Sequence, residues 1–200
     1  MDDRLARLLK DIYEFGTAND SKVKAHSEKM LNITPDTGLF LSILIQAVRA
    51  KEVLEIGTSN GYSTIWIADA LSRTGGTVTT VEASERKFEM ANRNFVRSGL
   101  RGYIDSRLAD AKTFLENVED ESVDLLFLDA DRTQYASYWK HADRVLKRGG
   151  LLLVDNALAP EPEELASFLR LIRESGRYLM QTLQVGNGEA LALKQRLSEE

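Results

Sequence analysis

The sequence predicts an α/β fold, a mainly parallel sheet covered by helices on both faces, and three observations carry that prediction. Short apolar runs alternate with helix-periodic segments from Glu52 onward, the pattern of repeated β-α units. The first run, Val53-Leu54-Glu55-Ile56, passes into a glycine-punctuated turn, Gly57-Thr58-Ser59-Asn60-Gly61, and then into a helical pattern. Near the end, Gly186-Asn187-Gly188 separates two strand-like segments, a hairpin signal that adds an antiparallel strand. The 200 residues are expected to form one domain, with amino-terminal helices over 1–50 and an α/β core over 51–200.

Leu5, Leu8, Leu9, Ile12 and Phe15 recur at helical spacing, and the first helix is expected to end near Gly16. The charged stretch from Asn19 to Lys29 reads as a second helix. A solvated face, a dimer contact and a substrate lid all suit it. Thr34 as N-cap and Pro35 at the first position open the next helix, which runs to about Arg49. Its apolar side carries Phe40, Leu41, Leu44, Ile45 and Val48. Strands are expected over 52–57, 77–82, 103–108, 123–129 and 151–155, the last one following the Gly149-Gly150 turn. Helices are expected between them over 62–72, 85–98, 111–117 and 133–146. Pro160 is expected to open a last helix that ends near Gly176. Strands over 178–185 and 190–195 close the chain.

Four acids fall near strand ends. Glu55 is an acid in an otherwise buried strand, and such a carboxylate is costly unless it is paired or accepts a hydrogen bond. In open α/β sheets ligands bind beyond the carboxyl ends of the strands, so Glu55 reads as an acceptor for a cationic or hydroxyl-bearing ligand. Gly57 and Gly61 can take positive φ and permit close approach to the backbone. Their G-x-x-x-G spacing differs from the dinucleotide fingerprint, which disfavours a nicotinamide cofactor. Glu82 follows Gly57 by about 25 residues, near the spacing at which an acid meets a ribose. Its two oxygens can accept from both ribose hydroxyls. The competing role, helix capping, is open to Ser84. Asp129 and Asp155 end the fourth and fifth strands, and Asn156 adjoins the latter. If those strands are parallel neighbours, two carboxylates and an amide oxygen converge. Those are hard ligands suited to Mg²⁺, Mn²⁺ or Ca²⁺.

Composition narrows the function further. A net charge of −5 argues against a general binder of nucleic acid or of an anionic membrane. The absence of cysteine removes disulfides, thiolate metal sites and a cysteine nucleophile. No apolar run reaches the roughly 20 residues of a membrane span, and Met1-Asp2-Asp3-Arg4 lacks the order of a signal peptide. Cytoplasmic location is the expectation.

From about Asn32 to Lys194 the chain resembles the cation-dependent class I O-methyltransferases, the group of the catechol and caffeoyl-coenzyme A enzymes. The resemblance rests on Glu55-Ile56-Gly57…Gly61-Tyr62-Ser63, Phe127-Leu128-Asp129-Ala130-Asp131, Val154-Asp155-Asn156 and Val185-Gly186-Asn187-Gly188. It implies a doubly wound, Rossmann-like, seven-stranded sheet with one reversed strand, S-adenosylmethionine as cofactor, a small hydroxylated acceptor and a homodimer. It places Ile33 and Thr34 at the methionine end of the cofactor, and Glu55, Gly57, Thr58 and Ser63 along the first loop. Glu82 falls at the ribose and Asp110 and Ala111 at the adenine. Asp129 borders the cofactor and, with Asp155 and Asn156, matches the metal ligands. Asp131 matches a position facing substrate.

Two departures bear on mechanism. The family commonly has Lys after its Asp-Ala-Asp, often assigned as general base, and this chain has Arg132. Arginine stays protonated, so it cannot readily accept a proton. The segment Ala157-Leu158-Ala159-Pro160-Glu161-Pro162 is shorter than the family's substrate-gating insertion and lacks its Trp. Activation is therefore assigned to the cation, charge stabilisation to Arg132, and proton removal to water or a carboxylate such as Asp131. His26 and His141 receive no role. Tyr62, Tyr135 and Trp139 could stack on adenine or substrate, against the commoner fate of buried packing. The alternatives are a metal-independent methyltransferase for another small acceptor and a cofactor-binding homologue with impaired catalysis.

Overall fold

A computed structural model describes residues 1–158 and 163–196. Seven helices, α1 Asp3–Asp20, α2 Pro35–Val48, α3 Tyr62–Thr74, α4 Glu85–Ser98, α5 Ala111–Glu116, α6 Tyr135–Val145 and α7 Glu163–Glu174, pack on one sheet among the described residues. Its strands are β1 Glu52–Ile56, β2 Thr77–Glu82, β3 Ile104–Leu108, β4 Val123–Leu128, β5 Leu146–Val154, β6 Tyr178–Leu183 and β7 Glu189–Lys194. The spatial order is β3-β2-β1-β4-β5-β7-β6. The first five in that order are mutually parallel, and β7 runs antiparallel to both its neighbours.

Alternation along the central strands splits the core into two layers. Val53, Leu125, Phe127, Leu151 and Leu153 face a cluster that includes Leu9, Ile12, Leu41, Ile45, Ile65 and Phe95 from α1 to α4. Leu54, Ile56, Leu126, Leu128, Leu152 and Val154 face the opposite cluster, with Leu115, Tyr135, Tyr138, Leu165 and Phe168 from α5 to α7. Burial on both faces explains why these strands read as continuous apolar runs.

Several boundaries differ from the sequence expectation, each for a local reason. Helix α1 does not stop at Gly16. A Cβ there would lie 2.4 Å from Asn32 Nδ2, so the glycine serves close packing and the helix continues to Asp20. The stretch over 19–29 is not a second helix. It holds one 3₁₀ turn, His26–Glu28, with no buried residue. The Asp20 carboxylate accepts from Met30 N at 2.6 Å and Leu31 N at 2.8 Å, which fixes an irregular return. Strand β5 starts at Leu146, not after the Gly149-Gly150 pair. A register shift against β4 absorbs the two glycines, with Gly149 at φ 83°. A 3₁₀ turn, Arg132–Gln134, precedes α6, and β7 begins at Glu189. The expected helix start at Pro160 lies outside the described residues, as do Ala159, Glu161 and Pro162.

Candidate active site

The parallel register aligns the strand ends on one edge. Ile56 lies opposite both Val81 and Leu128, and Leu128 lies opposite Val154. The ladder continues one residue further. Gly57 N donates to Val81 O at 3.0 Å, Asp129 N to Ile56 O at 3.0 Å and Asp155 N to Leu128 O at 3.1 Å. Gly57, Asp129 and Asp155 therefore stand side by side just beyond β1, β4 and β5. A Cβ on Gly57 would sit 2.1 Å from the Asp129 carbonyl oxygen, so the glycine is demanded first by protein backbone.

On the β1–β2 side, Glu82 accepts from Ser59 N and Ser84 N, each at 2.8 Å, one bond per carboxylate oxygen. Each oxygen keeps acceptor capacity for a hydroxyl. Ser84 caps α4 through Lys87 N, so the helix does not depend on Glu82 for its cap. Glu55 is fully buried. Its Oε2 accepts from Thr64 Oγ1 and Thr80 Oγ1, both at 2.5 Å, and Oε1 has no partner by strict hydrogen-bond geometry among the described residues. Burial pushes its carboxyl up to about 7, against the opposing hydrogen bonds of Ser63, Thr64 and Thr80. Thr58 Oγ1 lies 2.6 Å from Thr80 Oγ1, inside the same network. Gly61, the N-cap of α3, offers no side-chain cap; Tyr62 N donates to Asn60 Oδ1 at 3.2 Å, which leaves the N–H groups of Ser63 and Thr64 in the first turn for an anion. Ser59 Oγ donates to Met30 O at 2.6 Å, which ties the segment leading to Ile33 and Thr34 to this loop. Ile33 is buried and Thr34 caps α2. Asp110 caps α5 through Thr113 N and Thr113 Oγ1, with Ala111 as the first helical residue.

On the β4–β5 side, the ladder that continues past both strands sets Asp129 beside Asp155, near enough for each carboxyl to perturb the other. Burial first, then the Asp155 and Glu55 charges, raises Asp129 well above the usual carboxylate range. Burial raises Asp155 as well. The positive charge of Arg132 opposes both shifts. Asn156, at φ 61°, donates its side-chain amide to Asp155 Oδ2. Asp131 is exposed and accepts from Thr133 N and Thr133 Oγ1 through Oδ1, which caps the 3₁₀ turn. Among the described residues no group of three or more His, Cys, Asp or Glu side chains is arranged to hold a metal ion. The set expected here is different: two carboxylates and an amide. Its chemistry fits a hard cation, because adjoining carboxylates repel once both ionise and a cation would relieve that repulsion.

The sequence reading passed over Glu189. It is fully buried at the start of β7, and the β5–β7 register places it beside Asp155. The available signal was an acid directly after a hairpin turn, at the head of an apolar strand. The aromatic residues turn inward. Tyr62 packs on Tyr13, Tyr135 on Tyr138 and Phe168, and Trp139 on Phe168 and Tyr178. His26 is exposed, and His141 Nε2 lies 3.7 Å from Glu116 Oε1.

This strand order, with its one reversed strand and acid-rich carboxyl edge, defines a class I methyltransferase fold. The O-methyltransferase family pattern matches residues 7–195, and the chain belongs to that family. Among solved structures it is similar to the Bacillus cereus O-methyltransferase in complex with SAH. The TM-score is 0.80 at 30% identity, over 94% of this chain and 91% of that one. It is 35% identical over 131 residues to the catechol O-methyltransferase of Niastella koreensis, covering 64% of this chain and 59% of the relative. It is 31% identical over 160 residues to caffeoyl-CoA O-methyltransferase 2 of Eucalyptus globulus, covering 74% and 64%. The matches span less than two thirds of those two relatives' own lengths. Among the described residues no helix is long and apolar enough to cross a membrane.

Proposed function

We propose that this chain transfers a methyl group from S-adenosylmethionine to a hydroxyl of a small catechol-like or phenolic acceptor, using a divalent cation. Mg²⁺ is the leading candidate, with Mn²⁺ and Ca²⁺ as alternates. The observation that carries this reading is the alignment of Asp129 with Asp155 and its neighbour Asn156 at the ends of β4 and β5, next to the Gly57 turn that follows β1. Family membership and the SAH complex of the Bacillus cereus relative support the cofactor.

S-adenosylmethionine supplies an electrophilic sulfonium methyl. Glu82 would accept its ribose hydroxyls, and Asp110 and Ala111 would border the adenine. Ile33, Thr34, Gly57, Thr58, Ser63 and Asp129 would line the path to the methionine end, with the buried Glu55 Oε1 keeping acceptor capacity for a donor. Holding the acceptor in line with the methyl group is the main contribution open to such a site. A cation held by Asp129, Asp155 and Asn156 would lower the acceptor hydroxyl's pKa and orient neighbouring oxygens. Arg132, always protonated, would stabilise the developing phenolate charge, while Asp131 or water would carry the proton away. Exposed Leu39 and Ile43 on α2 support a homodimer, and the same reading takes a cytoplasmic enzyme with no nucleic-acid or membrane partner.

The test is calorimetry with S-adenosylmethionine, followed by turnover of catechol with and without Mg²⁺. Cofactor binding and cation-dependent methylation are expected. Full turnover by metal-stripped protein in excess EDTA would replace this reading with metal-independent transfer. Cofactor binding with no turnover on a broad acceptor panel would leave a binding protein.

A further inference from the structure

Strands β5 and β7 pair with Val154 opposite Ala190. One step beyond that pair, Asp155 and Glu189 meet. The hairpin turn is docked to make this happen: Ala157 N donates to Gly188 O at 2.7 Å and Leu158 N to Asn187 O at 3.2 Å. A Cβ at Gly188 would lie 2.5 Å from Leu158, so a larger residue would lift the turn away. Glu189 is then enclosed completely. Its Oε1 accepts from Thr37 Oγ1 at 2.8 Å, and its buried Oε2 has no partner by strict hydrogen-bond geometry among the described residues. By the β5–β7 register the neighbouring side chain is that of Asp155.

The strand order β4-β5-β7 sets the arrangement. Asp129 approaches Asp155 from β4, and Glu189 approaches it from β7. Thr37 lies in the first turn of α2, and its hydroxyl is 3.2 Å from that of the N-cap Thr34. A continuous polar row thus runs from Thr34 through Thr37, Glu189 and Asp155 to Asp129. A buried carboxyl at the head of an apolar strand costs several kcal/mol unless its oxygens are engaged, so its presence needs a task.

We propose that Glu189 is a positioning residue for the cation site. Anchored by Thr37, it holds Asp155 from the side opposite Asp129 and fixes the orientation in which Asp155 meets the cation. This rests on the cation reading above. Partners of this kind, one step behind a ligand, typically change metal affinity by about 10- to 100-fold when removed. Glutamine would serve the same task. Its amide oxygen can accept from Thr37, and its NH₂ can donate to Asp155.

The experiment is Mn²⁺ binding to the full chain by electron paramagnetic resonance, without cofactor or acceptor, for wild type, Glu189→Leu, Glu189→Gln and Thr37→Val. Glu189→Leu is expected to weaken Mn²⁺ by about 10- to 100-fold. Its melting temperature in EDTA should stay level or rise, since a buried carboxyl with one unsatisfied oxygen is gone. Glu189→Gln is expected to bind within about threefold of wild type, because the hydrogen bonds are kept. Thr37→Val should shift Mn²⁺ in the same direction as the leucine variant. Wild-type affinity in Glu189→Leu would overturn the positioning role. Equal weakening in Glu189→Gln and Glu189→Leu would overturn it too, since charge and not orientation would be required. If wild type itself fails to take up Mn²⁺, the cation reading and this role both fall.

Discussion

Ser59 donates its backbone N–H to Glu82 at 2.8 Å, so the acid that ends β2 also clamps the turn that follows β1. Ser84 N holds the other oxygen at the same distance. The carboxylate is fixed before any ligand arrives, which lowers the ordering cost of binding. Glu82→Ala should therefore reduce S-adenosylmethionine affinity by about 10- to 100-fold, the worth of hydrogen bonds to a charged group. Calorimetry checks this. Unchanged affinity would remove Glu82 from the ribose site.

Gly57 tests the turn from its other end. It sits at φ 106°, and an added Cβ would lie 2.1 Å from the Asp129 carbonyl oxygen. That neighbour is backbone and cannot swing aside. Gly57→Ala should lose more than about 2 kcal/mol in urea unfolding, from overpacking and backbone strain together. It should also weaken Mn²⁺ uptake, because relief comes only by moving Asp129.

These two residues were legible in the sequence because each announces a departure from its surroundings. A glycine pair after an apolar run, or an acid at the end of one, marks a strand end, and the parallel register brings such ends together. Thr34-Pro35 was legible for the same reason, as a cap followed by a preset φ. The misplaced elements depend on partners distant in sequence. Gly16 resembles a helix stop until Asn32 packs against it. Gly149-Gly150 resembles a turn until β4 supplies the shifted ladder. The stretch over 19–29 has charge but no apolar stripe, and composition alone could not show that Asp20 would bind the backbone at Met30 and Leu31. Glu189 was invisible because its significance lies in Asp155 and Thr37, on two other elements.

Asp155 separates chemistry from folding. Asp155→Ala should abolish cation-dependent turnover of a catechol, while the ion-free protein melts at an equal or higher temperature. Its carboxyl is buried against those of Asp129 and Glu189, and removing it relieves the crowding. A variant that fails to fold would contradict that account.

Arg132→Lys restores the residue type that the family commonly carries. Lysine can lose a proton where arginine cannot. Turnover should be retained or raised, and the rate should gain a rising limb with pH that the arginine protein lacks. A loss of turnover greater than about tenfold would show instead that guanidinium geometry is required.

Glu55 gives a pH signature that can be read without any acceptor. Burial holds its folded carboxyl up at about 7, against 4.5 for the ordinary group. Between those values the unfolded chain has released this proton while the folded chain still binds it. Stability therefore falls as pH rises through that window, and the contribution levels off above about 7. The full effect is on the order of 3 kcal/mol, from about 1.4 kcal/mol per pH unit. Asp129, Asp155 and Glu189 are shifted in the same direction, so the measurement must be a difference between proteins. Glu55→Gln can still accept from Thr64 and Thr80 and has no proton to release. Its stability should match wild type near pH 4.5, exceed it increasingly up to about pH 7, and keep a constant margin above that. Parallel profiles for the two proteins would mean that Glu55 ionises in the fold as it does in water. Saturating S-adenosylmethionine should narrow the gap, because a cationic donor at the unpartnered Oε1 stabilises the ionised carboxylate.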